Sequence, residues 1–227
     1  MRATTSLALL ASWLLFLPAG VAATDAERQS AAERNDSDAK PYKPAGKSWK
    51  ELRDENVVIQ KDKFTCGAAA LCTLIRHYLG EQASEKEILD IINKHSPEEA
   101  EKRKQNGLTM RDLKKAAESM GYEVRSYQLN IQGLKQLDAP LLVRIICEGE
   151  EHFVVLRGIV GDRAVLADPV RGNVRVSVEK FLEEWNGTPV LVLSKPGVPK
   201  PTKYPLALDH DDFAHPEVDS ARRATLK

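Results

Sequence analysis

Gln60, Cys66, His152 and Asp168 are four side chains that together can perform acyl chemistry on a peptide carbonyl. That chemistry needs a thiolate to attack, an imidazole to hold and relay a proton, a third group to orient the imidazole, and donors for the oxyanion. Cys66 lies in Gln60-Lys61-Asp62-Lys63-Phe64-Thr65-Cys66-Gly67-Ala68-Ala69-Ala70-Leu71, where small and apolar residues at helical spacing follow the thiol. The sulfur is therefore expected at the first turn of a helix, where unpaired amide hydrogens favour the thiolate. Gln60, six positions earlier, is near enough in the chain to turn its amide toward the oxyanion beside the Cys66 backbone N–H. His152 opens a strand-like run and Asp168 closes the next one, so the carboxylate is placed to accept from the second ring nitrogen. His77 and His95 sit on or at the ends of helical segments without a suitable acid, and His210 and His215 stand in a polar tail. Each of the four residues alone has an ordinary structural explanation. The set, in the order Gln, Cys, His, Asp, is more specific than any member.

The elements that must position these residues follow from periodicity. Ala70, Leu71, Leu74, Ile75, Tyr78 and Leu79 trace one face of a helix that starts at Cys66 and stops at Gly80. Ser84-Glu85-Lys86-Glu87 opens a second helix, and Thr109 caps a third that ends at Gly121. Residues 96–107 read as a charged, solvated loop or frayed helix. Beyond Gly121 the pattern becomes extended: Tyr122–Tyr127, Pro140–Ile146, His152–Leu156, Arg163–Asp168 and Gly172–Val176, then a helix Val178–Trp185 and a last strand Val190–Leu193. Helices followed by an antiparallel meander is an α+β pattern.

Length and charge bound the rest. The 227 residues suffice for one domain with tails, and Lys+Arg and Asp+Glu both number 33, so nothing points to a nucleic-acid partner. Arg2, the apolar run Leu7–Leu17 and the small residues to Ala23 read as a secretory signal peptide over 1–23, too short an apolar run for the roughly 20 residues of a spanning helix. No membrane span is expected after its removal, and the location expected is the periplasm or the exterior. Residues 24–49 read as a disordered lead-in, 50–195 as the folded domain, and 196–227, with Pro196, Pro199, Pro201 and Pro205 at its start, as a disordered tail. An exported chain with three cysteines raises the question of pairing. Cys66 and Cys72 would lie about 9 Å apart along one helix, too far for a bond. Cys72 with Cys147, Cys66 with Cys147, or no bond at all remain open. No Cys-x-x-Cys, His-x-x-x-His or phosphate-binding Gly-rich loop is present, so no metal or cofactor is expected.

The stretch Gln60–Leu74, then Leu113-Lys114-Lys115-Ala116, Met120-Gly121-Tyr122, Pro140–Val143, His152–Leu156, Ala167-Asp168-Pro169 with Gly172, Phe181 and Trp185-Asn186-Gly187, resembles the peptidase C39 family over about residues 57–194. The resemblance implies a papain-like fold, with Cys66 as nucleophile, His152 as base, Asp168 as its orienting group and Gln60 in the oxyanion hole. It also implies a polypeptide substrate and a link to secretion-system components. The family is best known fused to peptide-exporting transporters, where it removes leaders after a double glycine; this chain carries no ATPase motif and looks more like the stand-alone exported members. A cleft that binds an export substrate without cutting it, and acyl transfer to an amine, are the rival uses of the same residues.

Overall fold

The computed structural model describes residues 47–208. The signal peptide expected over 1–23, the lead-in up to residue 46, and residues 209–227 with His210 and His215 lie outside them. The last residues of the expected lead-in are structured. Ser48 and Glu51 form a reciprocal capping box that opens α1 (Trp49–Asp54), satisfying backbone donors that a helix start leaves unpaired.

The helix at the centre, α2 (Cys66–His77), is buried along every residue from Cys66 to Ile75. Its run of alanines lets neighbours approach on all sides, and Gly67 makes this plain. A Cβ there would lie 2.9 Å from Leu113 and 3.2 Å from Phe153. The first turn is thereby seated against both a neighbouring helix and the strand that carries His152. Ser84 caps α3 (Glu85–His95) by accepting from the Glu87 amide, as expected. Residues 96–107 are better ordered than their charge suggests: a 3₁₀ turn (Pro97–Glu99) leads into α4 (Ala100–Asn106). Arg103 explains the order, because its buried guanidinium donates to Asp112 at 3.0 Å, to the Ser96 carbonyl at 2.8 Å and to Glu99 at 3.2 Å. Asp112 also closes the capping box of α5 (Met110–Ser119), so one carboxylate fixes two helices.

The sheet comprises β1 (Glu123–Tyr127), β2 (Leu141–Cys147), β3 (Glu150–Val160), β4 (Arg163–Asp168), β5 (Gly172–Ser177) and β6 (Val190–Ser194). A short helix α6 (Ile131–Gln136) follows β1, and α7 (Val178–Trp185) follows β5. The strand order is β1-β6-β2-β3-β4-β5. The expected meander therefore covers β2 to β5, whereas β6 returns to pair between β1 and β2. Side-chain alternation gives the sheet two covered faces. Leu142, Phe153, Val155 and Ala167 pack with α2, α3 and α5, while Val143, Ile145, Val154 and Leu166 pack with Leu134 of α6 and Phe181 and Trp185 of α7. Cys72 belongs to the first cluster and Cys147 borders the second, so the sheet separates them and the Cys72–Cys147 bond is not available. All three cysteines are free.

The tail expectation needs correcting for residues 196–208. The prolines there do not keep this segment off the domain, because it carries anchors that the domain can take. Leu206 is fully buried, Tyr204 packs edge-on against Tyr78 at 4.8 Å between ring centroids, and Arg157 donates to the carbonyls of Leu206 and Ala207, each at 3.0 Å. The β-bulge between Leu156 and Gly158 throws Arg157 toward these carbonyls, and Gly158 leaves space that Leu208 fills. Leu206→Ala is expected to cost about 2 to 4 kcal/mol, since it removes buried methyl groups and leaves a cavity. Urea unfolding of the native and variant proteins measures this, and an unchanged midpoint would show the segment to be dispensable.

Candidate active site

The approach to Cys66 is a tight, cross-linked turn. The Gln60 backbone N–H donates to the Pro169 carbonyl at 2.9 Å, tying this loop to the turn that follows Asp168. Thr65 stands at the N-cap of α2, yet its hydroxyl donates to the Asp62 carbonyl at 2.8 Å instead of capping the helix. No side chain of the cap competes for the first-turn amides, so the positive end of α2 is left facing the sulfur. Phe64 adopts φ +73°, a left-handed conformation that a bulky residue rarely takes, and this turns the chain sharply two residues before the thiol. Gly107 lies against Phe64, and Lys63 pairs with Glu150 at 3.6 Å, joining this loop to the β2–β3 turn.

His152 lies near the start of β3, and Asp168 is the last residue of β4, with no exposed surface. The imidazole Nε2 is 2.9 Å from Asp168 Oδ1. Cys66 stands close enough to the ring to add to its proton affinity, and with Nε2 engaged by the carboxylate, Nδ1 is the nitrogen left for the sulfur. Sulfur, imidazole and carboxylate, which come from a helix start and two strands, are thus brought to one site. Burial works against the charged forms of both ring and acid. It would lower His152, but the hydrogen bonds and charges of Asp168 and Cys66 raise it to about 9. It would raise Asp168, but the hydrogen bond and charge of His152, the Arg171 cation and the Val170 amide hold it down to about 2. Both shifts favour an imidazolium beside an ionised carboxylate.

Gln60 sits in the turn before Cys66, but its Nε2 donates to the Asp62 carbonyl at 3.0 Å and its Oε1 is buried without a partner. One amide hydrogen remains for another acceptor. The sequence reading missed a fifth residue, Arg171. Its Nε donates to Asp168 Oδ2 at 2.5 Å, while its own amide and that of Val170 reach Oδ1 at 3.2 and 2.8 Å. The signal was present in the i, i+3 spacing of a carboxylate and an arginine across an Asp-Pro turn, but such a pair on a surface turn is common and carries little energy.

Gly172 closes that turn. At φ +75° it pairs with Asp168, and a Cβ would lie 2.3 Å from the Arg53 carbonyl oxygen of α1. Gly172→Ala is expected to cost about 2 to 4 kcal/mol through backbone strain and that clash. A thermal melt of the variant checks it, and a Tm equal to the native one would contradict the close approach.

A buried His–Asp pair near a helix-start cysteine on an antiparallel sheet fits the architecture of a cysteine peptidase. The chain belongs to the peptidase C39 family, whose profile matches residues 54–197. It is similar to the probable functional amyloid protease FapD of Pseudomonas aeruginosa, 33% identical over 148 residues. That match spans 65% of this chain and 65% of the relative, just under two thirds of the relative's length. Among solved structures it is similar to the peptidase domain of Streptococcus ComA, a bi-functional ABC transporter involved in quorum sensing, with TM-score 0.52 and 25% identity over 61% of this chain and 97% of that domain. It is also similar to a double glycine motif protease from an AMS/PCAT transporter in complex with its leader peptide, with TM-score 0.51 and 25% identity over 66% of this chain and 96% of that one. Helices packed on an antiparallel sheet in this arrangement are the expected α+β, papain-like fold. Among the described residues, no helix is long and apolar enough to cross a membrane.

Proposed function

We propose that this chain is an exported cysteine peptidase that cleaves a secreted or secretion-linked polypeptide, with Cys66 as nucleophile, His152 as acid and base, and Asp168 orienting the ring. The observation that supports the reading is the buried His152–Asp168 hydrogen bond at 2.9 Å, with Cys66 near enough to act on the same ring. The Cys66 thiolate attacks the peptide carbonyl, and the oxyanion takes donors from the Cys66 backbone N–H and Gln60. The imidazolium gives its proton to the leaving amine as the C–N bond breaks, leaving a thioester. Water then attacks the thioester with His152 as base, the acid product leaves, and the sulfur returns to the thiolate beside the imidazolium. The signal peptide read over residues 1–23 supports the periplasm or the exterior as the place of action. The likeness to FapD supports a substrate linked to export of a functional amyloid, and the leader-peptide complex of the transporter protease supports an extended peptide as the substrate class.

One observation favours a second reading, a cleft that holds an export substrate without cutting it: the Gln60 amide is turned to Asp62, and its oxygen is buried unpaired. Mass spectrometry of exported proteins from cells carrying the native gene or Cys66→Ala separates the two. A new amino terminus present only with the native gene supports hydrolysis. Co-purification of an uncut exported polypeptide with both proteins supports the binding cleft and overturns the peptidase reading.

A further inference from the structure

The Asp168 carboxylate has two oxygens with different duties. Oδ1 accepts from His152 at 2.9 Å and from the Val170 and Arg171 amides at 2.8 and 3.2 Å. Oδ2 takes its hydrogen bond from Arg171 Nε at 2.5 Å, within a residue that is fully buried. A buried carboxylate with an unserved oxygen rotates, protonates or admits water, because an unpaired buried charge is costly. Each of these would take Oδ1 away from the imidazole or neutralise it.

We propose that Arg171 is the positioning residue of this site: it keeps Asp168 ionised and rotationally fixed, so that Oδ1 meets His152, and it acts on Cys66 only through those two side chains. The inference rests on the peptidase reading of the site. Its local construction fits the role. The Asp-Pro-Val-Arg-Gly turn is pinned by the Pro169 carbonyl to Gln60 and by Gly172 against α1, so the backbone that carries Arg171 is held from two sides. The guanidinium is two-thirds covered and its Nη2 is buried without a partner. On its far side the charge is felt by Glu184 of α7 and by Cys147 at the end of β2. A flexible ammonium would serve Oδ2 as a point charge, but without the planar fork that fixes orientation.

The consequence separates this role from a merely structural one. The Arg171 cation favours the ionised form of Asp168, and an Asp168 that protonates or rotates without it no longer supports the imidazolium, so removal of the cation makes the carboxylate easier and the imidazole harder to protonate. The other groups that act on the pair are Cys66 on His152, and Cys147 and Glu184 on Arg171.

The test measures, with the full-length mature protein, the pH dependence of Cys66 alkylation by iodoacetamide (read at the Cys66 peptide by mass spectrometry) and of peptide cleavage. In Arg171→Met, the alkaline limb of the cleavage profile is expected to move to lower pH by about half a unit or more, with a fall in cleavage of roughly tenfold. Arg171→Lys is expected to return the limb to its native position with a remaining deficit of a few-fold. Arg171→Gln keeps an N–H donor without the charge and covers the case in which the Met variant does not fold; its alkaline limb should move as that of Arg171→Met. Profiles of folded Met or Gln variants whose alkaline limb superimposes on the native one, or moves to higher pH, overturn the inference even if the rate falls. Native Cys66 that alkylates no faster below neutral pH than an ordinary thiol overturns the peptidase reading itself, which is a distinct result.

Discussion

Cys66→Ala is expected to abolish peptide cleavage, by a factor on the order of 10⁴ or more, and to remove labelling by a thiol-reactive electrophile at neutral pH. The loss is large because nothing nearby substitutes for the sulfur. The remaining thiols are poor nucleophiles for physical reasons. Cys72 is fully buried in the core of α2, its Sγ 3.4 Å from the Ala83 carbonyl, and burial pushes it up to about 11. Burial likewise raises Cys147 above the ordinary thiol range, only partly countered by Arg171. Thiolate is the reactive form, so neither competes at neutral pH. Cys72→Ala should therefore keep both labelling and cleavage. The stability of Cys66→Ala should change little, because Cys66 packs at the edge of its cluster with 9% exposure. Equal labelling of the Cys66→Ala and Cys72→Ala proteins would remove Cys66 from the mechanism.

Much of the fold was legible because its helices and strands are strongly periodic and well capped. The helix from Cys66, the Ser84 and Thr109 caps, and the strands from Pro140 to Val176 all lie within a few residues of their expected places. What was not legible depends on distance along the chain. The pattern of Val190–Ser194 shows a strand but not its partners, and its insertion between β1 and β2 is a long-range choice. The helix Ile131–Gln136 was missed because six residues containing Gly133 carry almost no periodic signal. The charged stretch 96–107 looked solvated because the burial of Arg103 depends on Asp112, which stands in another helix. The segment around Leu206 reads as tail because Leu206-Ala207-Leu208 after four prolines is too short to show a period, although the Leu206 and Ala207 carbonyls match the donors of Arg157.

The site was legible for a different reason. Cys66, His152 and Asp168 each occupy the end of an element, and element ends on one rim of a sheet converge once the strand register is set. The register also shows why spacing alone was insufficient. Asp168 reaches His152 only because Val155 pairs with Ala167; a slip of one residue would send the carboxylate to the opposite face. Arg171 remained hidden because its importance lies in the burial of its partner, which a sequence does not display. The rotation of the Gln60 amide toward Asp62 was likewise outside what spacing reveals.

Asp168→Asn is expected to lower cleavage by a factor on the order of 10² to 10⁴ and to narrow the pH profile from its alkaline side. The amide is nearly isosteric but cannot satisfy its surroundings in either orientation. With its oxygen toward His152, Val170 and the Arg171 amide, its NH₂ faces the Arg171 Nε–H; flipped, it presents donors to three donors. The charge that raised His152 to about 9 is also gone, so the alkaline limb should fall toward the ordinary imidazole range near about 6.5. The stability profile gives an independent check, with a definite sign. Asp168 is depressed to about 2, so its contribution, on the order of 2 kcal/mol, is present above about pH 4 and lost as the pH falls through about 2. His152 is raised, so its contribution is complete below about 6.5 and lost as the pH rises through about 9. Both slopes should shrink in the variant, and its unfolding free energy should vary less than the native one over both intervals. Chemical denaturation across pH measures this directly. An Asn variant that keeps the native alkaline limb would show that the imidazole draws its proton affinity from somewhere other than this carboxylate.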